Sequence, residues 1–225
     1  MRAHHHTHSV AAGLLALALA LVPSAVSTGS GCQVAPAATV DHGEFLFTNY
    51  CQPCHAAGAV GKPEIQAPAI AGLPDWYITE QLHKFRGGVR GTHFDDVEGM
   101  RMRPMSLALE TETDVQAVAM YVSSMPAAAQ VLSVQGGDAE KGKQLFNTCL
   151  ACHGPEGAGN PQLGAPALTT QNDWYLVKQL GKFKGGIRGA NPKDIRGNQM
   201  RPMAATLADD QAMHDVVAYI QTLRK

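Results

Sequence analysis

The chain has 225 residues, of which 45% are hydrophobic and 16% are charged, and its formal net charge is -1. This composition is typical of a globular protein with one or two domains, and it excludes a disordered or collagen-like chain. Four of the five cysteines form two close pairs, and Cys32 stands alone.

Residues 1–31 have the features of an export signal. Arg2 precedes an apolar run over residues 10–22, which ends at Pro23. The run is shorter than the roughly 20 apolar residues that a membrane-spanning helix needs. We therefore predict export to the periplasm.

Two processing sites fit this leader. Residues 24–27 are small, as signal peptidase requires, whereas Ser30-Gly31-Cys32 resembles the end of a bacterial lipobox, with Gly29 where Leu is usual. A lipid on Cys32 would account for an unpaired thiol in an oxidising compartment and would anchor the protein to the membrane. The alternative is an unmodified thiol in the leader. Residues 32–40 are predicted to form a linker.

The rest of the chain is a tandem duplication. A shift of 98 positions aligns Cys51-Gln-Pro-Cys54-His55 with Cys149-Leu-Ala-Cys152-His153, Asp75-Trp76-Tyr77 with Asp173-Trp174-Tyr175, and Met102-Arg103-Pro104-Met105 with Met200-Arg201-Pro202-Met203. The predicted domains are residues 41–126 and 138–225, joined by a linker at 127–137. Domains this small bury little surface by themselves, so a large apolar cofactor is expected to complete each core.

Both domains are predicted to be all-α. Apolar residues recur at helical spacing in the last segment of each half, with no convincing alternating strand pattern elsewhere. Thr111 with Asp114 is typical of a helix N-cap, and Asp75 and Asp173 are predicted to cap the middle helices. The apolar positions are Val115, Val118, Ala119 and Val122, and Met213, Val216, Val217 and Ile220.

The Cys-x-x-Cys-His motifs predict covalent haem attachment. In an exported protein, two thiols at this spacing add to the haem vinyl groups while the adjacent His reaches the iron. A thioredoxin-like redox pair would need a βαβ context, and a zinc site would not explain a His after each pair. We therefore expect two haem c groups. The predicted attachment residues are Cys51, Cys54, Cys149 and Cys152, with His55 and His153 as iron ligands.

A second iron ligand should occur in both halves. Three candidates lack an equivalent, since Met100, His83 and His93 align with Asn198, Gly181 and Asn191. Two duplicated methionine pairs remain, Met102 with Met200 and Met105 with Met203.

These motifs, with Asp-Trp-Tyr-x-x-x-Gln-Leu between them, resemble the di-haem cytochrome c4 family from about residue 41 to the end. In that family the ligand is the Met seven residues before the Leu that precedes the last helix. The resemblance therefore implies Met102 and Met200 as ligands, with Met105 and Met203 in the core. Met100 is an additional sulfur that would compete at the first iron.

Other duplicated residues suggest contacts with haem propionates. Arg90 and Arg188 carry planar guanidinium groups, and Trp76 and Trp174 carry indole N–H donors. The alternative places the tryptophans in the core and the arginines on the surface.

The expected function is electron transfer from a quinol-oxidising complex to a terminal oxidase or reductase. Two protein ligands at each iron leave no position for a substrate, so no catalytic residues and no small-molecule substrate are expected. A nucleic-acid partner is not expected either. The alternatives are a fixed electron-transfer subunit of an oxidase or dehydrogenase, and a di-haem peroxidase, which would need an open iron.

The two halves differ in charge. Residues 41–126 carry 6 basic and 11 acidic side chains, and residues 138–225 carry 11 and 8. This difference would orient the protein toward charged partners. Lys182, Lys184 and Lys193 are predicted to face an acidic acceptor, unless the charges are only solvated surface.

Overall fold

Ten α-helices, five in each half, make up most of the regular structure in the described residues, 37–127 and 131–224, of this computed structural model. In the first half they are α1 (Val40–Leu46), α2 (Gln52–His55), α3 (Asp75–Arg86), α4 (Val97–Leu107) and α5 (Glu112–Ser124). In the second half they are α6 (Ala139–Phe146), α7 (Leu150–His153), α8 (Asp173–Lys184), α9 (Ile195–Ala205) and α10 (Asp210–Thr222). The prediction of two all-α domains is confirmed.

A π-helical turn over Phe47–Cys51 distinguishes the first half from the second. Three residues lie between Phe47 and Cys51, but two lie between the equivalent Phe146 and Cys149. A π-helical turn accommodates one more residue than an α-helical turn. The repeats therefore follow the 98-residue shift from Cys51 onward, and a single extra residue precedes it.

The first and last helices of each half cross closely at a glycine. A methyl group on Gly43 of α1 would overlap the carbonyl oxygen of Ala117 in α5, and one on Gly142 of α6 would overlap that of Asp215 in α10. Because only a hydrogen atom fits at these points, the two helix backbones can approach each other. This contact fixes the helix pair on which each core is built.

The cores contain the apolar stripes predicted for α5 and α10. Val115 and Val122 are completely buried in the first half, as is Val217 in the second. At the start of α5, the Thr111 hydroxyl accepts a bond from Asp114 N at 3.1 Å, and the Asp114 carboxylate accepts one from Thr111 N at 2.8 Å. The predicted cap is therefore confirmed.

The prediction that Asp75 and Asp173 cap the middle helices is wrong. Pro74 and Asn172 occupy the N-cap positions, and the two aspartates are the first helical residues. Each carboxylate accepts a bond from the backbone N–H of the following tryptophan. A negative charge in the first turn still interacts favourably with the helix dipole.

The segment after residue 130 is fixed to the second half through Asp173. Its carboxylate accepts bonds from Ser133 N at 2.5 Å, Ser133 Oγ at 2.9 Å and Val134 N at 2.7 Å. Asp173 is buried, whereas the equivalent Asp75 is exposed. This aspartate therefore holds the end of the interdomain connection as well as the first turn of α8.

No helix within the described ranges is long and apolar enough to cross a membrane. Cys32 and the predicted export signal lie outside those ranges. Processing and lipidation at Cys32 therefore stay predictions.

Candidate functional site

Each half contains a large cleft lined by its Cys-x-x-Cys-His motif and by its methionine-bearing helix. The cleft of the first half has a volume of about 1280 Å³, including its open mouth, and that of the second about 1130 Å³. The lining of both clefts is mainly apolar, as is usual for a pocket that binds a large apolar group. The lining includes Cys51, Cys54, His55, Met102 and Met105 in the first half, and Cys149, Cys152, His153, Met200 and Met203 in the second.

The histidines of the two motifs are oriented by backbone hydrogen bonds. His55 Nδ1 donates to the carbonyl oxygen of Pro68 at 2.7 Å, and His153 Nδ1 donates to that of Pro166 at 2.9 Å. A carbonyl oxygen only accepts, so the proton lies on Nδ1 and Nε2 keeps its lone pair for a metal. Burial lowers the pKa of both imidazoles, which favours the neutral, metal-binding form.

The thiols of the motifs do not have the properties of a catalytic redox pair. Burial, with a smaller contribution from the neighbouring Cys54, raises the pKa of Cys51 to about 12, and burial raises that of Cys149 to about 11. Reactive cysteines of the thioredoxin type instead have lowered pKa values. The arrangement therefore argues against the thioredoxin-like alternative.

Arg90 and Arg188 line the clefts and lie at the contact between the two halves. Arg90 donates to Gln81 at 2.7 Å and lies 4.4 Å from the Phe85 ring centre, and Arg188 donates to Gln179 at 2.7 Å. Both side chains are buried, so the alternative that these arginines lie on the surface is wrong.

The two guanidinium groups also link the halves. Arg90 donates to Gln179 at 3.4 Å, and Arg188 donates to Gln81 at 3.1 Å. In each, the Nε atom is buried without a hydrogen-bond partner among the described residues. A buried guanidinium N–H without an acceptor is unfavourable. The acidic groups of a haem at the cleft would supply one.

The tryptophans are placed differently from the arginines. Trp76 and Trp174 are half-buried, and neither is among the described residues that line the clefts. The Trp76 ring instead lies 5.3 Å from the guanidinium of Arg196 in the other half. Trp76 thus contributes to the contact between the halves, and a propionate contact for either tryptophan stays a prediction.

Solvent exposure distinguishes the remaining candidate iron ligands. Met100 is 40% exposed and is not among the described residues that line the cleft, which argues against it as a ligand. His83 lies at the surface and bonds Glu112 at 2.8 Å, and His93 is also partly exposed. Met102 lines its cleft and packs against the core of the first half.

The sequence model of the family described as cytochrome c matches the chain twice, over residues 40–126 and 139–224. The chain belongs to the cytochrome c family. Its two domains contain haem-binding cysteine motifs, and it is a di-haem electron carrier with two covalently bound haem c groups. The orientation of the histidines and the unpaired arginine nitrogens fit that cofactor.

Relatives of this cytochrome include proteins with different electron-transfer partners. The thiosulfate dehydrogenase electron acceptor of Stutzerimonas stutzeri (strain A1501) is 32% identical over 68% of this chain and 72% of its own length. The cbb3-type cytochrome c oxidase subunit CcoP of Rubrivivax gelatinosus is 32% identical over 80% of this chain and 53% of its own length. Reduced recombinant cytochrome c4 from Pseudomonas stutzeri has a similar structure, with a TM-score of 0.62, 28% identity, and coverage of 82% of this chain and 98% of that one.

The structure corrects the role predicted for Lys182. This side chain is 6% exposed and bonds Asp96 and Glu98 of the first domain, so it does not face an external acceptor. Lys184 bonds the backbone oxygens of Leu207 and Ala208. Of the three lysines that were predicted to steer partners, Lys193 alone is exposed.

Residues at the contact between the domains were missed by the sequence analysis. Tyr175 and Gln179 of the second domain line the cleft of the first domain, and Tyr77 and Gln81 line the cleft of the second. The signal was present, because both pairs are duplicated at the 98-residue shift. The sequence did not indicate that each pair faces the cofactor of the other domain.

Proposed function

We propose that this cytochrome is a periplasmic carrier that takes electrons from a quinol-oxidising complex and delivers them to a terminal oxidase or reductase. Bound haem c supplies one-electron chemistry at its iron. The observation that supports the proposal is the duplication of the complete ligand set, a buried His and a cleft-lining Met in each domain. Two protein ligands close an iron to substrates, as electron transfer requires.

The proposed ligand pairs are His55 with Met102 and His153 with Met200. Met102 is supported by its packing against the core, which would hold the sulfur in one position. Met203 is 38% exposed, which favours Met200 in the second domain. Arg90 and Arg188 would bind propionates through their unpaired Nε groups.

Ligand variants test this assignment. Met102→Ala and Met200→Ala should each remove about half of the weak sulfur-to-iron absorption band of the ferric protein, because each domain contributes one Met-ligated haem. Met105→Ala and Met203→Ala are the matched controls and should retain the band. A full band in Met200→Ala together with a halved band in Met203→Ala would contradict the assignment.

A second candidate function is the acceptance of electrons from a thiosulfate dehydrogenase. It is supported by the similarity to the acceptor protein of Stutzerimonas stutzeri. The similarity to an oxidase subunit, of which this chain spans about half, supports a third arrangement as a fixed subunit of a complex.

Reduction kinetics of the purified di-haem protein distinguish these functions. The ferric protein is mixed either with quinol and a quinol-oxidising complex or with thiosulfate and a thiosulfate dehydrogenase, and the ferrous protein is mixed with oxidase-containing membranes. Fast reduction by the quinol-driven complex and fast oxidation by the membranes are expected. Fast reduction only in the thiosulfate reaction would overturn the proposed donor.

Extraction of native membranes tests location and attachment. Release by high salt is expected of a free carrier, whereas release only by detergent indicates a lipid anchor or a complex. Cys32→Ser separates the last two, because it abolishes a lipid anchor and leaves a protein complex intact.

A further inference from the structure

The helices that carry the proposed methionine ligands begin with a buried aspartate. Asp96 accepts a bond from Gly99 N at 3.3 Å at the start of α4, and Asp194 accepts one from Gly197 N at 3.0 Å at the start of α9. A methyl group on either glycine would overlap the carboxylate. Each aspartate therefore lies against the first turn of its helix, where it caps the backbone N–H groups.

The cationic partner of each aspartate comes from the other domain. Lys182 of α8 donates to Asp96 at 2.5 Å, and Lys84 of α3 donates to Asp194 at 2.7 Å. All four side chains are largely buried, with 1–13% of each exposed. The two ion pairs are equivalent under the 98-residue shift, so the arrangement is reciprocal.

A second ion pair supports each contact. Its acidic partner lies on the methionine-bearing helix in the first domain, whereas its basic partner lies on that helix in the second. Lys178 of α8 donates to Glu98 of α4 at 2.6 Å, and Lys182 also donates to Glu98 at 2.6 Å. On the other side, Arg196 of α9 contacts Glu80 of α3. The first turn of each methionine-bearing helix is thus held by two side chains of the opposite domain.

We propose that Lys182 positions the ligand helix α4 of the first domain, and that Lys84 positions the ligand helix α9 of the second. This inference rests on the proposed ligation by Met102 and Met200. Lys182 also lines the first cleft, and Lys84 the second, so each lysine adds a positive charge beside the cofactor of the other domain. Both lysines are positioning residues, because they act through the helix.

The decisive expectation is that a substitution in one domain alters the haem of the other. In Lys182→Gln, Asp96 is left buried without its counter-charge beside the first haem, and a negative charge favours ferric over ferrous iron. The one-electron equilibrium of the first haem should shift by about tenfold, which lowers its potential by about 59 mV. The second haem should keep its potential, although the substitution lies in its own domain.

Redox titration of the haem-loaded variants measures this effect. Met102→Ala and Met200→Ala first assign the two potentials to the two domains, and Lys84→Gln should then change only the second haem. Lys182→Arg should restore the wild-type potential, since a guanidinium can also bond both carboxylates. Lys184→Gln is the matched control on α8. Within the described part of the chain, Lys184 donates only to backbone oxygens of its own domain.

A charge-neutral double variant covers the case in which Lys182→Gln does not fold. Asp96→Asn with Lys182→Gln removes both charges, so the first haem should return to within about twofold of its wild-type equilibrium. On heating, its sulfur-to-iron band should still be lost at a lower temperature than in the wild-type protein, because α4 has lost its interdomain ion pair.

The outcomes separate this inference from the ligand assignment. If Met102→Ala leaves the band and both potentials unchanged, the ligand assignment has failed. If the ligand variants behave as expected but Lys182→Gln shifts the second haem or neither haem, the positioning role is overturned.

Discussion

Ala56, the residue after His55, has a backbone conformation that favours glycine. Its φ and ψ angles are 67° and 164°, a region that residues with a side chain rarely adopt. The equivalent residue in the second domain is Gly154, with nearly the same angles of 74° and 163°. The duplication therefore provides matched, opposite substitutions, Ala56→Gly and Gly154→Ala, at one structural position.

The expected free-energy changes follow from strain and chain entropy. A non-glycine residue in this region costs about 1–3 kcal/mol, and glycine loses about 0.5–1 kcal/mol more conformational free energy on folding than alanine. Ala56→Gly should therefore stabilise the first domain by about 1 kcal/mol. Gly154→Ala should destabilise the second domain by a similar amount. Apart from its two chain neighbours, no described residue has a heavy atom within 4 Å of a methyl group added at Gly154, so backbone strain acts there without a steric clash.

Thermal unfolding of the haem-loaded variants, followed by circular dichroism and haem absorption, measures both changes. For a domain of this size, 1 kcal/mol corresponds to about 4–8 °C in Tm. The transition of the first domain should rise in Ala56→Gly, and that of the second should fall in Gly154→Ala. Changes of the same sign in both variants would refute the strain argument, because the two substitutions are chemical opposites.

Two further predictions concern acid stability and helix packing. Burial alone would raise the pKa of Glu98, but bonds from Lys178 and Lys182 lower it to about 2. The stabilising contribution of Glu98 is therefore complete above about pH 4.5 and is lost as the pH falls toward 2. An acid unfolding titration of Glu98→Gln should lack this loss of stability. Gly142→Ala should destabilise the second domain by about 1–3 kcal/mol in denaturant unfolding because it forces α6 away from α10. Gly181→Ala in α8, where no described residue would contact the added methyl group, should not destabilise it. Equal effects of the two glycine variants would argue against the close helix crossing.

The sequence predicted best what depends on spacing along the chain. The 98-residue shift and the Cys-x-x-Cys-His motifs were sufficient for two haem domains, and the periodicity of α5 and α10 gave their buried faces. Helix starts were less certain, because Pro74 and Asn172 displaced the predicted caps by one residue. A proline at the N-cap has no side-chain acceptor, and Asn172 makes no capping bond to its own helix, so neither position carries a signal that outweighs the aspartate beside it.

Contacts between the domains were not predicted, because they depend on how two duplicated units face each other. Lys182 follows the pattern of a solvated surface lysine in sequence, with Gly185 and Gly186 close behind it. Its burial arises only when Asp96 and Glu98 of the other domain approach it. Periodicity within one domain carries no information on such a pairing.

The interdomain ion pairs account for part of the charge difference between the domains. They use Glu80, Asp96 and Glu98 of the acidic domain and Lys178, Lys182 and Arg196 of the basic one, together with Lys84 and Asp194. Without these eight residues, the first domain falls from 6 basic and 11 acidic side chains to 5 and 8, and the second from 11 and 8 to 8 and 7. About half of the charge difference is therefore used at the domain contact and does not act on diffusing partners.

The charges of the interdomain ion pairs also determine which domains can pair favourably. The 98-residue shift relates Glu80 to Lys178 and Glu98 to Arg196, so equivalent positions carry opposite charges in the two domains. Two first domains placed in the same arrangement would bring glutamates together, and two second domains would bring basic side chains together. Such like-charge contacts are unfavourable and suppress wrong pairings. The opposite charges at these equivalent positions therefore favour the pairing of unlike domains over the pairing of equal domains from two chains.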